Sequence, residues 1–434
     1  MSTLSPFQLI SPDHSVNHPG RRFVDSSDTG GDSAETMLSR HPPDFGEACA
    51  ALLPSRLAHV WLPLSGQAPS GGSNGRFLLF TGASLDSIIQ PHQSSEAGGV
   101  QVKSGLVIAA TVAILVAAVL PPALGGMFSN GPLPPLVPPP NNPQTDAKIR
   151  LGQQLYFDAR LSADNTISCA TCHDPKTGWA NHHPTDTGIG GQVGGRNSGT
   201  IIDAAYMKYQ FWDGRAPSLE EQALGPIHNP IEMGETLENV VRKLNAIPGY
   251  ARRFRSVFGT DVTTDGIAKA IASFERTIIS ASSPYDRYIA GDRKAMSRSA
   301  IRGMRIFNGK GHCVTCHSGP TFSDQSFHNL GVGMNKPDPD IGRAKITNDP
   351  ADWGKFKTPG LRNVALTYPY LHDGSEETLM DVVGFYDRGG IPNRNLDPLI
   401  LRVGLTRQEK QDLVAFMEAL TGTVPAVQTP ELPK

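Results

Sequence analysis

Several scarcities bound what this chain can be. Its 39 Lys and Arg nearly balance 41 Asp and Glu, for a net charge of −2 over 434 residues. No bulk field therefore draws it to nucleic acid or to an anionic membrane surface. Cysteine is sparse, with 5 in the chain, too few for a disulfide framework of this length. Long strand patterns are missing, which argues against a β-rich architecture. Lysine is absent from the first hundred residues, which are rich in Ser, Pro and Gly and keep no period of 3.6 or 2. Residues 1–104 are therefore read either as a disordered region or as an over-extended frame upstream of a start near Val100. One long apolar run stands out, from Gly105 to Leu120 behind Lys103. It falls short of the roughly 20 residues that span a bilayer and is long for a signal core. Pro121 and Pro122 end it, and Ala123-Leu124-Gly125 loosely fits a small-x-small cleavage site. Residues 105–124 are thus expected to be a signal or membrane-anchor segment.

What is present is more specific. Four of the five cysteines fall in two C-x-x-C-H pentads, Cys169-Ala170-Thr171-Cys172-His173 and Cys313-Val314-Thr315-Cys316-His317. In such a pentad each thiol adds across a haem vinyl group and the histidine becomes an axial iron ligand. A zinc knuckle would want further Cys or His at short spacing, and a redox dithiol has no use for the adjoining histidine. The cysteines therefore report two covalent c-type haems. Haem of this kind is attached outside the bacterial cytoplasm, so export to the periplasm is expected, with an inner-membrane anchor if the apolar segment stays attached. The fifth cysteine, Cys49, has no partner in the pattern.

Residues 125–143 are proline-rich and read as an extended spacer (GPLPPLVPPPNNP). Thr145-Asp146 offers a helix cap, and apolar residues recur at helical spacing from Ala147 to Phe157, just before the first pentad. Ser297 to Phe307 repeats this before the second. Further helices are predicted at 264–279, 378–386 and 406–420. The expected fold is mainly α, with two cytochrome c-like haem domains with long loops, at 144–292 and 293–424, and a tail at 425–434. Abundant glycine (45) and proline (36) suit short helices and loops wrapped around a prosthetic group.

From about Leu151 to Leu420 the chain resembles the bacterial dihaem cytochrome c peroxidase and MauG family. The segments that carry the resemblance are LSADNTISCATCHDP, GGRNSGT, FWDGRAPSLEEQALGPIHNPIEM, GHCVTCHSGP, FHNLGVG and FKTPGLRNVALTYPYLHDGSEETLMDVVGFYDRGG. The resemblance implies that His173 is the proximal ligand of a peroxidatic haem whose distal side carries Gln222, Pro226 and Glu232. Heterolysis of an O–O bond needs a base that takes the peroxide proton and returns it to the leaving oxygen, and an amide that orients the peroxide. Glu232 and Gln222 suit those two tasks. Trp212 is implied as a relay between the haems. Asn197, Thr367 and Pro369 match the family's calcium site, whose oxygen ligands suit a hard cation.

Two positions depart from the strictly gated peroxidases. Where those carry a distal histidine, this chain has Ile189; His182 and His183 lie nearer the pentad and are read as solvated loop residues. The second axial ligand at the His317 haem is a methionine in the peroxidases and a tyrosine in MauG, and the matching position here is Tyr386. Met380, six residues away, points in nearly the opposite helical direction. Tyrosinate favours ferric and more oxidised iron, whereas thioether favours the ferrous state.

The leading expectation is a dihaem oxidoreductase that uses hydrogen peroxide in a MauG-like way. A reductively activated cytochrome c peroxidase and a non-enzymatic dihaem electron carrier are the alternatives. The electron donor would be a small cytochrome, a cupredoxin or a protein substrate. Family members are often homodimers, although no residue here marks an interface.

Overall fold

The computed structural model describes residues 130–434. The expectations for residues 1–129, including Cys49 and the apolar segment, lie outside the described residues. Among the described residues no helix is long and apolar enough to cross a membrane.

The fold is mainly helical, as expected. In chain order the helices are α1 (Asp146–Tyr156), α2 (Cys169–Cys172), α3 (Leu219–His228), α4 (Leu237–Asn245), α5 (Pro248–Phe258), α6 (Thr264–Glu275), α7 (Pro284–Ile289), α8 (Arg298–Asn308), α9 (Ala344–Thr347), α10 (Leu379–Asp387) and α11 (Arg407–Glu418). Two short strands, β1 (Phe327–His328) and β2 (Phe356–Lys357), pair antiparallel with Phe327 opposite Lys357. The helix starts follow capping chemistry. Thr145 accepts from the Lys148 amide, and Thr378 with Asp381 and Thr406 with Glu409 form reciprocal capping boxes.

Two large apolar cores form, beside a small cluster of Ala204, Leu219 and Ala272. The first gathers Leu151, Leu155 and Tyr156 of α1 with Phe254, Ile271 and Phe274 of α5 and α6. The second gathers Phe307, Val383 and Phe416 of α8, α10 and α11 around Phe322. In each half two helices cross at a glycine, α1 with α6 and α8 with α11. A Cβ on Gly152 would lie 1.8 Å from the Ala270 carbonyl oxygen, and one on Gly303 would lie 1.8 Å from that of Asp412. Backbone meets backbone there, which only glycine permits. These cores support our proposal of two haem-bearing units at 144–292 and 293–424.

The halves repeat in finer detail. Phe211 and Leu371 both take left-handed backbone (φ 64° and 69°), followed by Gly214 and Gly374 in the same region. Bridges Gln210–Ala216 and Tyr370–Glu376 close the two turns, which then feed α3 and α10. Trp212 thereby corresponds to His372, and Pro226 to Tyr386. The halves also exchange backbone bonds. The Asn197 amide donates to the His372 carbonyl at 2.8 Å, and the Lys357 amide donates to the Trp212 carbonyl at 2.7 Å.

Two segments differ from expectation. The proline-rich stretch is not a free spacer over residues 130–143. Tyr206 donates to the Pro134 carbonyl at 2.7 Å, Arg362 donates to the Gly131 carbonyl at 3.0 Å, and Asn142 is fully buried. Proline removes donors but leaves its carbonyls free to accept, so such a segment can lie against a donor-rich surface. The segment 425–434 returns to the first half. Gln153 and Gln154 donate to the carbonyls of Gln428 and Glu431 at 2.8 and 2.9 Å, and Val427 packs on the first core. Bonds to backbone carbonyls leave no side-chain pattern for a sequence reading to find.

Candidate active site

Each pentad is built to present a neutral imidazole. His173 follows α2, and its Nδ1 donates to the Trp179 carbonyl at 3.2 Å. His317 repeats the arrangement with the Phe322 carbonyl at 2.9 Å. Trp179 and Phe322 both adopt left-handed backbone (φ 59° and 57°), an unusual state for aromatic residues, which turns their carbonyls toward the rings. With Nδ1 committed, Nε2 keeps its lone pair for a metal. Burial lowers the pKa of both histidines, which favours the neutral ligand form. Burial also pushes the Cys169 and Cys313 thiols up to about 12, and the four pentad cysteines are not joined in disulfides. Paired thiols beside a lone-pair imidazole fit covalent haem at both sites.

A cavity of about 710 Å³ is lined by Cys169, Cys172 and His173 together with Gln222, Pro226 and Glu232. The three residues expected on the distal side therefore share one chamber with the first pentad. Gln222 and Pro226 lie one turn apart on α3, whose N-cap Ser218 accepts from the Glu221 amide at 3.1 Å. Glu232 follows the helix, held at Oε1 by the Asn229 side-chain amide at 2.7 Å. Burial raises its pKa, opposed in part by the Arg215 charge, so its carboxylate is a stronger base than a solvated one.

The loop where a gating histidine was sought runs beside this group. The Ile189 amide donates to the Glu232 carbonyl at 2.9 Å, and the Ile189 side chain abuts Gly234. His182 is held elsewhere, stacked on Tyr368 at 3.9 Å with Nε2 at 3.1 Å from the Leu366 carbonyl. His183 is exposed, and its carbonyl accepts from the Asn197 side chain at 3.0 Å.

At the second pentad, Leu379 and Val383 of α10 are buried in the second core, and Tyr386 continues that helical face. Burial holds the Tyr386 hydroxyl well above its ordinary pKa, with the neighbouring Cys313 and Cys316 thiols adding to the effect. Met380 is 37 % exposed. Tyr386, and not Met380, is thus the α10 residue next to the second pentad.

Between the halves, the Trp212 indole donates to the Asn197 carbonyl at 2.9 Å and meets the His372 ring edge-on at 6.4 Å. His372 stacks on Phe356 at 3.6 Å, and burial drops its pKa to about 4. Because the Asn197 side-chain nitrogen is spent on His183, its oxygen remains as an acceptor. The carbonyls of Thr367 and Pro369 accept no backbone hydrogen bond among the described residues. His182 and His183 tie the Asn197 and Tyr368 segments to one loop, an arrangement that fits an oxygen-ligated cation.

Three groups escaped the sequence reading. His328 donates from both ring nitrogens, to Asp397 at 2.6 Å and Asp324 at 2.9 Å, and is pushed up to about 11 chiefly by Asp324. Cys316 lies beside the same ring. Asp186, on the cavity wall, accepts from Asn181 and Ser198. Lys357 lines the cavity from β2. His328 stood inside a quoted motif, but nothing local marked Asp397 as its partner.

Comparison with known proteins agrees with this geometry. The family model for di-haem cytochrome c peroxidase matches residues 146–294. Cytochrome-c peroxidase IdrP1 of Pseudomonas sp. (strain SCT) is 39 % identical over 334 residues, covering 70 % of this chain and 88 % of that protein. Methylamine utilization protein MauG of Methylorubrum extorquens is 39 % identical over 305 residues, covering 69 % of this chain and 86 % of that one. The crystal structure of a MauG-like protein associated with microbial copper homeostasis superposes with a TM-score of 0.62 at 32 % identity, covering 67 % of this chain and 95 % of that one. The chain belongs to the dihaem cytochrome c peroxidase and MauG family, and it is a dihaem peroxidase-type oxidoreductase with two c-type haems.

Proposed function

We propose that this protein is a periplasmic, MauG-like peroxide-using oxidoreductase, open to peroxide at the first haem and tyrosine-ligated at the second. The observation that carries this reading is the distal wall of the first site. Ile189 stands against Glu232 where a gating histidine would be, while His182 and His183 are engaged elsewhere.

When bound, the haems supply an iron that takes peroxide and a second iron that shares the oxidising equivalents. The chain does the rest. Glu232 takes the proton from the near peroxide oxygen and returns it to the departing one, which leaves as water. Gln222 orients the peroxide by its amide. Pro226 offers no donor or ligand atom and keeps the approach clear. His173 and His317 would hold the irons through Nε2, and Tyr386 would offer an anionic oxygen to the second. Trp212 relays electrons between the halves. Asn197, Thr367 and Pro369 would supply the oxygen ligands of a calcium ion, which would keep the relay in register. Two electrons from an external donor and two protons complete the reduction of hydrogen peroxide to two waters. That donor is a small cytochrome, a cupredoxin or an oxidisable protein side chain.

The fully oxidised holoenzyme, mixed with stoichiometric peroxide in a stopped-flow spectrometer, tests this. A rapid change of the haem spectrum without prior reduction is expected. No change until one haem is reduced would establish instead the reductively activated cytochrome c peroxidase; the chain is as similar to cytochrome-c peroxidase IdrP1 as to MauG, at 39 % identity each.

A further inference from the structure

Five cationic side chains line the first haem cavity: Arg196, Arg215, Lys345, Lys357 and Arg362. Four already hold carboxylates. Arg196 pairs with Asp213 and Asp340 at 2.7 and 2.6 Å, Arg215 with Asp213 at 2.9 Å, Lys345 with Asp340 at 3.3 Å, and Arg362 with Asp286 at 2.9 Å. Among the described residues, the Lys357 ammonium has no such partner. It is half-buried, and desolvation unrelieved by any neighbouring charge pushes its pKa down to about 8. A partly desolvated ammonium without a counter-charge is costly, so its partner is to be sought in what fills the cavity.

The group that fills this cavity is a haem, and haem carries two propionate carboxylates. We propose that the Lys357 ammonium is the positioning partner of a propionate of the haem held by Cys169, Cys172 and His173. A residue of the second half thereby grips the cofactor of the first. The same residue donates its backbone amide to the Trp212 carbonyl at 2.7 Å, so one strand position would hold the haem edge and the Trp212 backbone between the halves. The repeat adds an independent argument. Lys357 is the counterpart of Asn197, since each donates its amide across the halves, one to Trp212 and the other to His372. Where one side of the repeat carries a neutral amide, the other carries its own cation. The inference rests on the first haem filling this cavity and is independent of which residue ligates the second iron.

The test is a spectroelectrochemical titration of holoenzyme with Lys357→Met, which keeps the length and removes the charge, and Lys357→Arg, which keeps the charge. Losing a nearby cation favours ferric iron. The first haem's midpoint potential should therefore fall in Lys357→Met, with the ferric-to-ferrous ratio at a fixed potential rising about tenfold, the scale for one charge acting through protein. The second haem should shift less, and Lys357→Arg should stay near the parent. The propionate bending band in the resonance Raman spectrum should move in Lys357→Met and not in Lys357→Arg. If Lys357→Met fails to load haem, Lys357→Gln carries the same comparison. Unchanged potential and unchanged propionate band in the charge-free variant would overturn the proposal.

Discussion

The two halves use one plan for opposite ends. Both hold a histidine by an aromatic residue's carbonyl, cross two helices at a glycine and bring a left-handed turn into a capped helix. At matching positions of α3 and α10 one half has Pro226 and the other Tyr386. A proline there has nothing to offer an iron, whereas a tyrosine offers an oxygen. Around Pro226 stand Gln222 and Glu232, while around Tyr386 the helix face is Leu379 and Val383. One scaffold thus sets polar groups around a cavity in one half and apolar residues along the Tyr386 helix face in the other, by changes at few positions.

The comparison is broken most directly at the base. Glu232→Gln keeps the shape and removes proton transfer, so the second-order rate of peroxide reaction should fall by about 10²- to 10⁴-fold in stopped flow. In the parent enzyme that rate should decline as pH falls through the raised Glu232 pKa, because the base must be deprotonated to act. A pH profile unaltered by Glu232→Gln would remove Glu232 from the mechanism.

Exchanging the paired positions sharpens the contrast. Pro226→Tyr should bring a ligand to the first iron, turn its ferric spectrum low-spin or tyrosinate-like, and slow peroxide reaction by on the order of tenfold or more, equal to ~1.4 kcal/mol of barrier. An unaltered first-haem spectrum would mean that the repeat does not place residue 226 over the iron.

A smaller and symmetric effect is expected at the crossings. Gly152→Ala and Gly303→Ala each force a methyl into a backbone carbonyl and should each destabilise by about 1–3 kcal/mol, read as a lower melting temperature. A loss confined to one variant would show that the two crossings are not equivalent.

The smallest effect separates the halves by pH. Arg302 holds the Asp412 carboxyl down to about 2, while the matching position in the first half is Ala270. A depressed acid stabilises above its unfolded value near 3.9 and loses that contribution as pH falls toward the folded one. Acid unfolding between about pH 4 and pH 2 should therefore be less steep in Asp412→Asn, and Ala270 has no charge to make a first-half equivalent.

Much of this was legible in the chain because it is local. The pentads, the caps at Thr145, Thr378 and Thr406 and the one-turn spacing of Gln222 and Pro226 depend on neighbours a few residues apart. Tyr386 was singled out by the family resemblance, and helical periodicity separates it from Met380. The proline-rich stretch was misjudged because its contacts, through its own carbonyls and through Asn142, are made with residues far off in the chain and leave no local signature. The return of residues 425–434 to the first half was missed for the same reason.

By itself the sequence determined the two C-x-x-C-H pentads, the two c-type haems they imply, the helical class and the family, since covalent attachment and helix capping need fixed short spacings. Only the tertiary structure decided that Ile189 rests on Glu232, that His328 sits between Asp324 and Asp397, and that Lys357 faces the first cavity with no carboxylate partner among the described residues. Those relations join residues far apart in the chain, and burial and charge pairing exist only once packing has brought them together.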